Sequence, residues 1–447
     1  MKTTAQQNQT RFTSRRGFLK TSATVAGTAL IGAIDVGRFA HAAGSDTLKL
    51  GLIGCGGRGT GAAGNALTVD AGTKLWALAD IFPDKIDTTI NTLSPKFPDR
   101  IEVPRGRQFS GLQGYRGVIE NCDVVLVVCA SRFHPDYTLA AVQNKKHVFV
   151  EKPAAVDIAG VNKIMQADVL SKQNGTGVLA GVTYRYHLGR REAVQRIQAG
   201  ELGEIVAVQC EYLRSPYRLI EREPGWSEME YQLRNWYHFS WLSGDDILQS
   251  LIHDLDSALW VLGDVLPSQA YGMGGRSTHF EATMGTCFDH NQVIYEYPNG
   301  RRIYGACRTA VGCYGSNQDI FHGTKGRCNF TAFQPPYFTD LNGNRTWRAN
   351  VEQSAKSPYE LEHSEFLQSI RAGKPFQRAK ILADSTLVSV LGQLAVYTGK
   401  KISLQEVLDS KFAFPPIGEI TMNTEPPVKP GPDGLYPVAI PGQTKLL

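Results

Sequence analysis

Leu48-Lys49-Leu50-Gly51-Leu52-Ile53-Gly54-Cys55-Gly56-Gly57-Arg58-Gly59 runs a short apolar segment straight into a glycine-rich turn. The segment reads as a buried strand, and Thr60 to Leu67 continues as a helix, so G-x-G-x-x-G stands in strand-loop-helix context. Gly54 permits the tight turn, Gly56 lets backbone approach a pyrophosphate, and Gly59 allows close helix-strand packing, while Cys55, Gly57 and Arg58 fill the loop. A second apolar run, Leu75 to Ala79, ends at Asp80, where a carboxylate can accept hydrogen bonds from an adenosine ribose. Asp80 repels a 2′-phosphate and Ile81 offers no cation to hold one, so NAD is expected rather than NADP.

Two further buried strands, Val124 to Val128 and Val148 to Val150, flank a helix from Pro135 to Val142, and this alternation predicts a doubly wound parallel sheet. Ligands of such sheets lie at the carboxyl ends of the strands, which points Ser131, His134, Glu151 and Lys152 at the cofactor crevice. From about residue 183 longer strands and hairpins take over, among them Ile205 to Tyr212 and a pair flanking Pro298-Asn299-Gly300. The expected fold is therefore α/β, an N-terminal Rossmann sheet plus a C-terminal α+β domain with an open, mainly antiparallel sheet. The expected domains are residues 43–182 for the dinucleotide and 183–410 for substrate, followed by a tail over 411–447. That tail carries eight prolines after Phe412 and should wrap its own domain or a neighbouring subunit.

With 447 residues, 42% hydrophobic and 20% charged, the composition excludes collagen, coiled coil and wholesale disorder. Six of the 47 Lys/Arg and one of the 42 Asp/Glu fall in residues 1–42, leaving the body balanced at 41 of each. A neutral body argues against nucleic acid as a partner. No apolar run reaches the roughly 20 residues of a membrane span, so stable membrane insertion is not expected. The eight cysteines are scattered without metal-ligand spacing, and no metal is expected. Cys307 and Cys313 are near enough in sequence to pair.

Ser14-Arg15-Arg16-Gly17-Phe18-Leu19-Lys20, the apolar stretch Thr21 to Ile34 and Ala40-His41-Ala42 resemble a twin-arginine export signal. That resemblance implies residues 1–42 are a signal peptide read by the twin-arginine machinery, a periplasmic or otherwise exported location, and folding with any cofactor before export.

Glu151-Lys152-Pro153 after the strand, with Gly181 to Tyr186 and Ile252-His253-Asp254-Leu255-Asp256, resembles the Gfo/Idh/MocA oxidoreductases. The resemblance implies a homo-oligomer acting on a carbohydrate, with His253 on a catalytic helix. A lysine beside a nicotinamide has its pKa lowered by desolvation and like charge, so Lys152 can donate to an alkoxide or shuttle its proton. His253 is the candidate for taking the hydroxyl proton. Where the family commonly has an acidic residue one turn before the histidine, this chain has Gln249, leaving Asp245, Asp246, Asp254 or Asp256 to compensate. Arg185, Tyr186, Trp236, Tyr237, Gln249 and Asp256 are the expected substrate residues; the aromatic segment Tyr231 to Trp241 suits a sugar ring or an ordinary core equally.

The leading expectation is an exported, NAD-dependent oxidoreductase acting on a secondary hydroxyl of a sugar or polyol, with a retained and internally recycled cofactor. The alternatives are a redox-neutral, NAD-dependent glycosidase working through a transient keto-sugar, and a nucleotide- or carbohydrate-binding protein without turnover.

Overall fold

The computed structural model describes residues 47–278, 284–350 and 356–447. The export signal read at residues 1–42 lies outside them.

Strands β1 to β6 are Leu48–Ile53, Thr73–Asp80, Gln108–Ser110, Val124–Val127, His147–Glu151 and Val178–Gly181. They form one sheet in the order β3-β2-β1-β4-β5-β6, with every pair parallel. Parallel pairing needs a crossover between neighbours, and helices such as Gly57–Val69 and Ile158–Asn174 supply it. Helices on both faces explain why β4 is buried at all four residues and reads as an unbroken apolar run. The strand order reverses between β1 and β4, and a crevice opens there at the carboxyl ends.

Strands β7 to β15 are Ile205–Arg214, Gln269–Gly275, His290–Glu296, Arg302–Thr309, Ser316–Gly323, Arg327–Thr331, Tyr337–Thr339, Arg345–Arg348 and Ile402–Ser403. Their order is β14-β13-β12-β11-β7-β10-β9-β8-β15, antiparallel throughout except for β7 with β10. The β9-β10 hairpin closes at Gly300, whose φ of 83° is the left-handed conformation the turn demands. The long helix Ala379–Thr398 is apolar enough to resemble a membrane span, yet 89% of its most apolar window is buried inside the protein.

The chain does not finish with the first sheet at residue 182. Phe366, Leu367 and Ile370 of helix Pro358–Arg371 share a core with Leu50, Leu52, Phe149 and Leu179 of that sheet. This helix starts on a Ser357/Glu360 capping box with Pro358 in its first turn. The tail wraps its own chain: Phe412, Phe414, Ile420 and Tyr436 are buried in the main core. The backbone N–H of Phe414 donates to Asp157, and Arg132 donates to the carbonyls of Phe414 and Pro416. Cys307 and Cys313 are both free thiols, the first buried and the second exposed, so the pairing considered above is not formed.

Candidate active site between the two sheets

Two adjoining cavities lie at the carboxyl ends of the first sheet. The larger, about 630 Å³, is lined by Gly54, Gly56, Gly57, Arg58, Gly59, Asp80 and Ile81, and opposite them by second-domain residues. The smaller, about 190 Å³, is lined by Arg58, Ser131, His134, Glu151, Lys152, Trp236, Tyr237, Gln249, His253 and Tyr359. Arg58, Val128, Cys129, Trp236 and Tyr237 border both.

The glycine loop is shaped for a phosphate. Gly54 has φ of 99°, and a Cβ there would lie 2.5 Å from the carbonyl of Val128; a Cβ at Gly59 would lie 1.8 Å from the Gly54 carbonyl. At Gly56 and Gly57 a Cβ would meet nothing within 4 Å, which leaves the approach open. The helix begins on Gly56 with no side-chain cap and no acidic residue in its first turn, so its leading N–H groups and positive dipole end are available to an anion. Asp80 accepts from the backbone N–H of Cys55 at 2.7 Å and of Phe82 at 2.9 Å, which orients its carboxylate at the cleft. Burial raises its pKa, against those two bonds and Lys85. These features fit a dinucleotide, with Asp80 toward a ribose. Cys55 itself is buried with its thiol facing the Ala79 carbonyl, so it serves Asp80 through its backbone rather than lining the cleft.

Ser131, His134, Glu151 and Lys152, assigned from sequence to the cofactor crevice, line the smaller chamber that adjoins the glycine-loop cleft. His134 has both ring nitrogens against backbone carbonyls, Pro153 at 2.7 Å and Cys129 at 2.9 Å, and is a clamp between two loops. Glu151 is bound by Arg58 Nε at 2.5 Å and accepts from the backbone N–H of Lys152. Arg58 also lies 3.6 Å from Glu362 and 4.8 Å over the ring of Tyr359, both on helix Pro358–Arg371. Glu362 is fully buried, and burial pushes its carboxyl well above the usual range.

Lys152 donates to the backbone carbonyl of Gln249 at 2.5 Å. Burial lowers its pKa to about 8, opposed by Glu151 and helped by Arg214. Gln249 sits in a π-helical turn, Ile247–Leu251, that leads into helix Ile252–Val261. Its amide donates to Ser131 Oγ at 3.1 Å and to the Ser243 carbonyl, not to His253. The turn is entered through Gly244 and Asp245, both at positive φ. Asp245 holds that uncommon conformation with bonds from Phe288 N–H and the Tyr397 hydroxyl.

Among the described residues, none of the four carboxylates considered above is bonded to His253. Asp245 is committed to Tyr397, Asp246 to Arg214 and Ser250, Asp256 to Arg185, and Asp254 turns toward Asp319 and Arg190. The His253 ring is instead held between aromatic rings, Tyr184 at 5.2 Å and Tyr212 at 6.3 Å. Behind Tyr184 the Arg190 guanidinium lies 3.7 Å over the ring, 3.5 Å from Asp319. Burial lowers the His253 pKa well below its ordinary value, reinforced by Lys152, Arg190 and Arg58. The ring is neutral at physiological pH and can accept a hydrogen bond.

Arg185, Tyr186 and Asp256, expected to line the substrate pocket, border neither cavity. Arg185 is buried in a bidentate pair with Asp256 and a second pair with Asp264, Ser385 also donates to Asp256, and the Tyr186 hydroxyl accepts from Arg378. They are scaffold, because a buried guanidinium keeps its charge only with carboxylates against it. The aromatic segment divides in two. Tyr231, Phe239 and Trp241 are core, whereas Trp236 and Tyr237 stack on each other at 3.7 Å and face both cavities. Tyr217 and Tyr359 were not singled out from sequence, and Tyr184 and Tyr212 were read only as members of the family-like segment Gly181 to Tyr186 and of the strand Ile205 to Tyr212; for Tyr359 the Ser357-Pro358 helix start was the available signal.

Two family descriptions match this chain over most of both sheets: an oxidoreductase family with an NAD-binding Rossmann fold over residues 48–175, and the Gfo/Idh/MocA C-terminal domain over 190–329. The chain belongs to the Gfo/Idh/MocA oxidoreductases. It is 23% identical over 371 residues to the myo-inositol 2-dehydrogenase of Thermotoga maritima, covering 81% of this chain and 100% of that one. It is 27% identical over 204 residues to the 2,7-anhydro-N-acetylneuraminate hydratase of Escherichia coli, 46% of this chain and 50% of that one. Among solved structures, a levoglucosan dehydrogenase in complex with NADH and levoglucosan shares the fold, with a TM-score of 0.62 over 80% of this chain and 99% of that chain at 15% identity. Within this Gfo/Idh/MocA chain the glycine loop and the Glu151-Lys152-Pro153 turn flank the two adjoining cavities. No group of three or more His, Cys, Asp or Glu arranged for a metal occurs among the described residues.

Proposed function

We propose that this protein oxidises or reduces a secondary hydroxyl of a sugar or polyol with a nicotinamide dinucleotide, NAD in preference to NADP. The carrying observation is that Lys152 and His253 face one small chamber which shares a wall with the cleft containing the glycine loop and Asp80. Asp80 supports NAD, since a half-buried carboxylate there opposes a 2′-phosphate. When bound, the nicotinamide exchanges a hydride with the substrate carbon. His253, neutral and held by its aromatic neighbours, accepts a hydrogen bond from a second, neighbouring substrate hydroxyl and so orients the reacting one. Lys152 titrates near working pH and takes or returns the proton of the reacting hydroxyl, with the Gln249 carbonyl holding its ammonium in place. Trp236 and Tyr237 offer aromatic faces to a sugar ring, and Ser131 and Gln249 offer polar edges.

A redox-neutral course is the second reading. It is favoured by the similarity to a hydratase and by the absence, among the described residues, of a carboxylate bonded to His253. In that course one hydride would pass to a bound nicotinamide and later return; between those events Lys152 would remove the acidified neighbouring C–H proton, the aglycone would leave with a proton, and water would add to the resulting unsaturated ketone. Export through the twin-arginine route with a retained cofactor, and a homo-oligomeric assembly, complete the proposal.

The test is a polyol and glycoside panel assayed with the purified protein and added NAD. Net formation of NADH with a polyol supports the first reading, and glycoside cleavage without net NADH supports the second. Inactivity toward both classes with NAD bound defeats both.

A further inference from the structure

The first sheet supplies only one wall of the dinucleotide cleft. Tyr217, Arg218, Ile220, Leu233, Arg234, Trp236 and Tyr237, all from the second domain, make the other. At the inner end this wall is a ladder. Trp236 and Tyr217 each stack 3.7 Å from Tyr237, and the Arg214 guanidinium lies 3.7 Å over Tyr217. Arg214 in turn donates to Ser250 at 2.9 Å, within the π-helical turn that carries Gln249, and pairs with Asp246, the residue that precedes that turn.

At the outer end Arg234 reaches across to the first domain. Its guanidinium lies 3.8 Å over the ring of Phe82 and 4.6 Å from Trp226, and it approaches Asp84 to 3.7 Å. Phe82 and Asp84 follow Asp80 by two and four residues, so the contact bridges the cleft at the end where the ribose would lie. The helix that bears Arg234, Glu228–Arg234, is pinned from behind by the proline-rich tail. Gln232 donates to the Val428 carbonyl at 2.7 Å, and the buried Tyr436 hydroxyl donates to Glu228 and accepts from Arg222.

We propose that segment 215–237, latched by Arg234 onto Phe82 and Asp84 and braced by Val428 and Tyr436, is a second cofactor-binding wall that keeps a nicotinamide dinucleotide bound through successive turnovers. This rests on the dinucleotide reading above. A ligand held between two walls leaves only from the fraction of molecules in which the latch is open, so weakening the latch raises the release rate.

The experiment loads the purified full chain with NADH, chases with excess NAD, and follows the loss of NADH fluorescence excited through the neighbouring tryptophans. Arg234→Ala should speed release about tenfold, the combined worth of a cation-π contact and an ion pair to the exposed Asp84. Arg234→Lys, which keeps the charge near Asp84 but cannot lie flat on Phe82, should fall between. Tyr436→Phe, distant from the cleft and able to keep its packing, should speed release about threefold by loosening the brace. Wild-type release rates in all three variants would overturn the wall while leaving the dinucleotide reading intact. Failure of the unaltered chain to bind NADH at all would sink both.

Discussion

Lys152 and Gln249 meet through the backbone: the ammonium of Lys152 donates to the Gln249 carbonyl, while the Gln249 amide turns away to Ser131 and Ser243. The backbone of Gln249 thus holds the lysine without adding charge. Replacing Lys152 by Met should lower kcat by 10²- to 10³-fold, roughly the worth of a positioned proton donor or acceptor. NADH binding, read by fluorescence, should stay within about threefold if the lysine acts on the substrate proton rather than on the dinucleotide.

The pH dependence follows from Lys152. Burial depresses its pKa to about 8, so the neutral amine is the minor form below that pH and the major form above it. Alcohol oxidation, which needs a proton acceptor, should therefore rise through about pH 8 and level off, and the reverse reduction should fall through the same range. Gln249→Glu puts a carboxylate near the ammonium, favours the charged form and should move the rise upward by roughly one pH unit. A profile unmoved by this substitution would assign the titration to another group.

His253 is positioned by rings rather than by an acid, so the shape of its neighbours should matter more than their hydroxyls. Tyr212→Phe should leave kcat within about threefold, whereas Tyr212→Leu should lower it by roughly tenfold or more, with thermal stability measured on each to separate positioning from folding. Equal losses for Phe and Leu would point to the hydroxyl instead.

Behind the histidine, Asp254 and Asp319 are fully buried with Arg190, and burial raises the Asp254 carboxyl well above its ordinary range while Asp319 is raised to about 7. A carboxyl whose folded pKa exceeds its unfolded value binds more protons when folded. Its stabilising contribution is present below the unfolded pKa, near 4, and is lost as pH rises through the folded value. Asp254→Asn removes the Asp254 share of that dependence. Between about pH 5 and 8 the wild-type Tm should therefore fall relative to the variant.

Arg185 and Asp256 provide the opposite control. Breaking their buried pair with Asp256→Ala should cost about 3–5 kcal/mol by urea denaturation, and the protein that remains folded should keep its substrate KM. A large rise in KM at full stability would return these residues to the substrate site.

Much of the first sheet was legible because its signals are local. An apolar strand, a glycine turn and a terminal Asp80 follow one another within about 30 residues, and each has one physical reading. The chamber was only half legible. Arg185 and Asp256 looked like pocket residues because polar side chains beside a family motif invite that reading, and nothing in the sequence reveals that they neutralise each other in the core. Tyr359 and Glu362 come from more than 200 residues beyond Lys152, on a helix returned to the first sheet by tertiary packing alone. The π-helical turn, which aims the Gln249 carbonyl at Lys152, has no periodicity of its own over five residues.

The most direct test of the central claim is a single-turnover experiment: protein saturated with NAD is mixed with each member of a polyol panel, and the absorbance of reduced nicotinamide is followed. The account predicts that at least one polyol produces reduced cofactor up to one equivalent per chain, and that Lys152→Met slows this by 10²-fold or more while NAD remains bound. Bound NAD that is never reduced by any polyol, or that is reduced equally fast by Lys152→Met, would contradict it.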